Sequence, residues 1–166
     1  VKDLTLKELK KIDVGSYFGA QFSKQRIMTL KEVISLVKGE LMLNIEIKML
    51  EDKAQLLIDK LEQLLAEENF IEQVVISSFN HCYLQELGPE VKTAILINSH
   101  PVDPVAMIES ANANGIHPNH KLLTPQLIQQ VQQAGYFVNT WTVNESTKIK
   151  QLKEWGINGI VSDNPL

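Results

Sequence analysis

Apolar runs of four to eight residues alternate with amphipathic segments about six times along the chain, and this alternation constrains the fold more than any other feature. The first repeat opens at LMLNIEIK, before an amphipathic segment from about Lys53 to Glu68 that carries Leu56, Leu57, Leu61, Leu64 and Leu65 on one side. VVISSF (Val74 to Phe79) precedes a helix around Cys82 to Leu87, and TAILIN (Thr93 to Asn98) precedes a helix capped by Asp103, opened by Pro104 and ended by Gly115. IHPN (Ile116 to Asn119) is the weakest strand signal, followed by a helix opened by Thr124 and Pro125 and stopped by Gly135. FVNTWTV (Phe137 to Val143), a helix to Trp155 that Asn144 can cap, and GIVSD (Gly159 to Asp163) complete the series. Upstream, Thr5 with Glu8 and Thr29 with Glu32 form capping boxes before helices near Leu6 to Ile12 and up to Lys38, the second closed by Gly39.

Near-continuous apolar strands alternating with amphipathic helices mean a parallel sheet covered by helices, either doubly wound or a (β/α)8 barrel. No GxGxxG or GxxxxGK follows a strand, which removes the usual marker of the nucleotide-binding open sheet. Polar residues gather at strand C-terminal ends instead: Glu46 and Lys48, Ser77 with Asn80, Trp141 with Asn144, and Asp163. Barrel enzymes collect their chemistry there, so the expected fold is α/β, a (β/α)8 TIM barrel present as about six of eight repeats. No change of composition marks a linker, and residues 1–166 are read as a single domain, N-terminally truncated.

Strict alternation in LNIEIKM, from Leu43 to Met49, puts Asn44, Glu46 and Lys48 on one strand face. In a helix-covered sheet that face needs an interior role. Trp141 shares a face with Asn139 and Val143, and Phe79 reads first as core. Asn144 serves equally as a helix cap or a ligand contact, and Asp163 as support for the last strand's turn. His81, His100, His117 and His120 read as loop or surface histidines.

Composition narrows the partners. The chain has 44% hydrophobic and 22% charged residues, ordinary for a globular domain. A net charge of -4 without a basic run argues against nucleic acid. The lone Cys82 excludes an internal disulfide and a cysteine-built zinc site, and suits a reducing compartment. No apolar run approaches the roughly 20 residues of a membrane span, and no signal peptide opens the chain. A cytoplasmic location is expected, with membrane association left to a missing N-terminal segment.

The segments LNIEIK, VVISSFN, WTVN and GINGIVSDNP, in this order and spacing, closely resemble the glycerophosphodiester phosphodiesterase family. VKDLTLKELKKIDVGSYF and MTLKEV resemble that family's segment between its second and third barrel strands, so the likeness spans essentially the whole chain. It implies a (β/α)8 barrel that hydrolyses a small-molecule glycerophosphodiester to an alcohol and glycerol 3-phosphate with one divalent cation, calcium or magnesium. By resemblance Glu46 is one of three metal carboxylates and catalytic, Lys48 is catalytic and holds the phosphate, and Phe79 and Trp141 contact substrate. The family's HRG, ExD and HD motifs, which bring two histidines and the other carboxylates, do not occur in this sequence. Met28 and Ser162 stand where the family often has proline and threonine.

Three expectations follow. The parent is a metal-dependent phosphodiester hydrolase of lipid and glycerol metabolism, whereas this chain alone is catalytically incomplete. An alternative is a non-enzymatic barrel-derived binding or interaction module, or an open-sheet small-molecule binding domain. Unpaired edges of a six-strand arc also leave room for self-association.

Overall fold

The computed structural model describes residues 3–48 and 54–164. The chain divides into two compact units, residues 1–41 and 42–166.

The first unit holds α1 (Leu6–Leu9) and α2 (Leu30–Val37), each started by its capping box. In both boxes the threonine side chain accepts from the backbone N–H of the glutamate three residues on, whose carboxylate accepts from the threonine N–H. Two orphan donors are satisfied at each helix start. Between the helices, Asp13 accepts from the Gly15 and Ser16 amides at 2.9 Å each and from the Ser16 hydroxyl. These donors hold its carboxyl down at about 2. Lys10 pairs with Glu32, whose carboxyl is likewise lowered to about 2, chiefly by that contact.

The second unit is a parallel sheet with helical crossovers. Its strands are β1 (Leu43–Glu46), β2 (Val74–Ser78), β3 (Lys92–Ile97), β4 (Gly115–Pro118), β5 (Phe137–Thr140) and β6 (Gly159–Ile160). Its helices are α3 (Ala54–Glu67), α4 (Cys82–Gln85), α5 (Pro104–Ser110), α6 (Pro125–Gln133) and α7 (Ser146–Glu154). Among the described residues the strands stand in the order β1-β2-β3-β4-β5-β6, every neighbouring pair parallel. A doubly wound sheet reverses its order at a switch point, whereas a barrel winds one way. The sequential order is therefore that of a partial TIM barrel, as expected. The weak strand IHPN is real as β4. Met49 and Lys53, at the ends of the expected first strand and following helix, lie outside the described residues.

Register separates the two faces. Ile76, Ile95, Ile116 and Val138 are fully buried on the face that carries the helices, joined by helix residues Ile58, Leu65, Ile108, Ile128 and Leu152. The opposite face would line a barrel interior. Its lower row runs Glu46, Ser77, Ala94, Gly115, Phe137, and one step toward the C-terminal ends Leu96, His117, Asn139 and Gly159 follow.

Two glycines make the inner face possible. A Cβ on Gly115 would meet the Phe137 carbonyl oxygen at 2.6 Å and its ring at 2.7 Å, and one on Gly159 would meet Asn139 Oδ1 at 2.5 Å. Gly115 thus does not end the helix before it, as its position suggested: it belongs to β4, and the chain turns after α5 at Asn112, with a left-handed φ of 51°. Asparagine tolerates that region better than other non-glycine residues.

Candidate active site

The carboxylate and ammonium of the first strand meet at its C-terminal end. Glu46 closes β1, and Lys48 Nζ lies 2.7 Å from Glu46 Oε1. Two residues apart on an extended chain, both side chains project from one face, as the alternation required. Glu46 is 28% exposed and Lys48 77%, so the pair is a partly screened ion pair at the rim. A cavity of about 570 Å³ opens here, lined by Glu46, Ile47, Lys48, Phe79, Asn80 and His81.

Phe79 follows β2. It is 49% exposed, which corrects its reading as core: β2 ends at Ser78, and the ring lies beyond the last paired residue, at the cavity. It meets Trp141 edge-on, with centroids 5.6 Å apart and planes at 85°, a favourable aromatic arrangement. Trp141 is held by its indole N–H, which donates to the His117 carbonyl at 2.8 Å, and by a backbone bridge to Asn119. Glu46, Lys48 and Phe79 thus share one cavity, and Trp141 joins them through Phe79.

His117 was expected on a loop or the surface. It is an inward residue of β4, 2% exposed, and its Nε2 accepts from Asn139 Nδ2 at 3.0 Å. Burial pushes its imidazole down to about 4, so it is neutral near pH 7. The proline and the lack of alternation in IHPN hid this position, and its pairing with β5 is visible only in the register. Asn144 does not cap α7, whose N-cap is Glu145. It clasps the opposite loop instead: its Oδ1 accepts from the Asp163 amide (2.9 Å) and the Ser162 hydroxyl (3.1 Å), and its Nδ2 donates to Asp163 Oδ2 (2.8 Å). Ser77 is the register partner of Glu46, and its fully buried hydroxyl has no hydrogen-bond partner.

The described residues do not build a metal shell by themselves. No group of three His, Cys, Asp or Glu side chains among them could hold an ion, and Glu46 is the one carboxylate among the residues lining the cavity. A hard cation takes six or more oxygen ligands. What the site does offer is a cation for a phosphate oxygen, an aromatic corner for carbon-bound hydrogens, and an amide and an imidazole for polar groups.

A parallel partial barrel with this polar and aromatic group at the C-terminal strand ends belongs to the class of TIM-barrel enzymes in build. More particularly, the chain belongs to the glycerophosphoryl diester phosphodiesterase family, whose model matches residues 1–166. It is 35% identical over 169 residues to a glycerophosphodiester phosphodiesterase of Caldanaerobacter subterraneus subsp. tengcongensis, covering 99% of this chain and 70% of that protein. A glycerophosphodiester phosphodiesterase of Bacillus altitudinis is 28% identical, with 99% and 70% covered. Among solved structures, an Oleispira antarctica phosphodiesterase in complex with the product sn-glycerol-3-phosphate superposes with a TM-score of 0.91 at 26% identity, over 99% of this chain and 69% of that one.

Proposed function

We propose that this chain forms the substrate-binding wall of an enzyme that hydrolyses glycerophosphodiesters to an alcohol and glycerol 3-phosphate. The observation that carries the reading is the juxtaposition of the Glu46–Lys48 pair with Phe79 in one cavity, with Trp141 packed edge-on against Phe79. Family membership supplies the reaction, and the glycerol 3-phosphate in the Oleispira structure supports the substrate class.

Lys48 is mostly exposed and can swing from Glu46 to a phosphoryl oxygen, where its point charge offsets the charge that builds up as the diester is attacked. Phe79 and Trp141 position the glycerol carbons and exclude water from one side. Glu46 would contribute one carboxylate to a divalent cation, calcium or magnesium; no group of three His, Cys, Asp or Glu side chains among the described residues completes the shell. Proton transfer to the leaving alcohol is assigned to none of the described side chains.

Glu46→Ala and Lys48→Ala should each lower release of glycerol 3-phosphate by at least about 100-fold, the scale of losing one charge-stabilising group. Unchanged release would sink the assignment. Among the described residues β1 and β6 are the outer strands of the sheet, and we also propose that they permit self-association. Sedimentation showing a monomer at all concentrations would remove that reading.

A further inference from the structure

We propose that His81 is a specificity-determining residue of the same cavity: its Nδ1 accepts a hydrogen bond from a hydroxyl group of the substrate. The inference rests on the functional reading above and adds to it a recognition element for a hydroxyl.

The Thr93 and Ile97 carbonyls accept from the β4 side, from the amides of Asn114 and Asn119 at 3.0 Å each. Carbonyls alternate in direction along a strand, so that of Leu96 is directed toward β2. β2 ends at Ser78 and supplies no further donor there. His81 supplies it, with its Nε2 3.0 Å from the Leu96 oxygen. A carbonyl oxygen can only accept, so the hydrogen sits on Nε2. In the neutral ring Nδ1 is therefore left as a lone-pair acceptor.

The ring is also held in place from its own loop. The Ser78 hydroxyl donates to the Ile47 carbonyl at 2.9 Å and accepts from the Asn80 amide at 3.0 Å, and Asn80 Oδ1 accepts from the Cys82 amide at 3.2 Å. His81 lies between these anchors and borders two cavities, one with Glu46, Lys48 and Phe79 and one with Cys82, Gln85 and Met107; the proposal places Nδ1 in the first. An acceptor in that wall repels phosphate oxygens, which Lys48 attracts, and selects a group with a hydrogen to give. A glycerophosphodiester offers such hydroxyls on its glycerol and, when the second alcohol is a polyol, on that alcohol too. Choline, esterified through its single hydroxyl, adds none.

Nitrogen-15 NMR of the chain labelled at histidine and tryptophan tests this, with the His81 signals identified by their loss in His81→Gln, the Trp141 indole N–H told from that of Trp155 by its loss in Trp141→Phe, and cavity occupancy read from that Trp141 signal. The probes are sn-glycerol 3-phosphate, glycerophosphoglycerol, glycerophosphocholine and inorganic phosphate. The proposal expects the His81 Nδ1 signal to move on hydroxyl-ligand binding and to stay put with inorganic phosphate. A response to all three glycerol compounds places the hydroxyl on the shared glycerol. A response to glycerophosphoglycerol alone places it on the second alcohol. His81→Phe should weaken the responding ligand about fivefold, the worth of one hydrogen bond, while His81→Gln, which keeps a donor and an acceptor, restores the affinity.

Movement of Trp141 without movement of Nδ1, an equal Nδ1 response to inorganic phosphate, or equal affinity in wild type and His81→Phe would overturn the role of His81 and leave the phosphodiesterase reading standing. If none of the three glycerol compounds moves Trp141, the functional reading fails and the role of His81 with it.

Discussion

Gly115 and His117 show how single residues hold up the inner face. With the Phe137 ring and carbonyl within 2.7 Å of where a Cβ would stand, Gly115→Ala forces a strand or a ring to shift. The expected loss is about 1–3 kcal/mol in urea unfolding, the range for overpacking a core. Ser77→Ala removes a buried hydroxyl that has no partner and should leave stability unchanged or slightly raised by the same measurement. His117 gives the stability its pH dependence. Its folded value of about 4 lies below the ordinary 6.5, so the unfolded chain binds the extra proton first. The stability it contributes is present above about pH 6.5 and is lost as pH falls toward 4, on the order of 3 kcal/mol at most. Urea midpoints between pH 7 and 4 should fall more steeply for wild type than for His117→Gln, and parallel curves would contradict the burial argument.

At the scale of elements, local signals and tertiary pairing divide the work. α2 starts where Thr29 and Glu32 exchange hydrogen bonds, and Thr29→Ala should cost about 1 kcal/mol of the stability of its unit, read by thermal unfolding. Such caps are legible in sequence because both partners lie within one turn. The same locality made β1 legible, and with it Glu46 and Lys48, since alternation alone puts them on one face. Other positions were hidden for stated reasons. Asn144 looked like a cap because it precedes a helix, but its partners Ser162 and Asp163 lie 18 and 19 residues away. Phe79 looked like core because an aromatic after VVISS reads as more strand, and only the end of β2 at Ser78 exposes it. Gly115 looked like a helix stop because glycine usually is one; its neighbour Phe137 explains it instead.

For the molecule as a whole, the sheet of the second unit follows from its repeats: each strand is followed by a crossover that returns the chain beside it, giving a parallel sheet in chain order. That order brings the C-terminal ends of β1, β2 and β5 to one rim and so gathers Glu46, Lys48, Phe79 and Trp141, which are spread over nearly 100 positions of sequence. The fold was therefore readable as a series of local patterns, whereas the candidate site was legible only in its β1 part and in the motifs that resemble the family. The unit formed by residues 1–41 carries its own capped helices, but its sequence alternation says nothing of catalysis. The role of Glu46 in glycerophosphodiester hydrolysis can be tested directly. Residues 1–166 can replace the matching 70% of the Caldanaerobacter phosphodiesterase, the rest of that protein being kept, and glycerol 3-phosphate release can be measured with magnesium or calcium. The chimera should hydrolyse glycerophosphodiesters, and Glu46→Gln in it should fold normally but lose activity by about 100-fold or more; a Glu46→Gln chimera as active as its parent would rule out this role of Glu46.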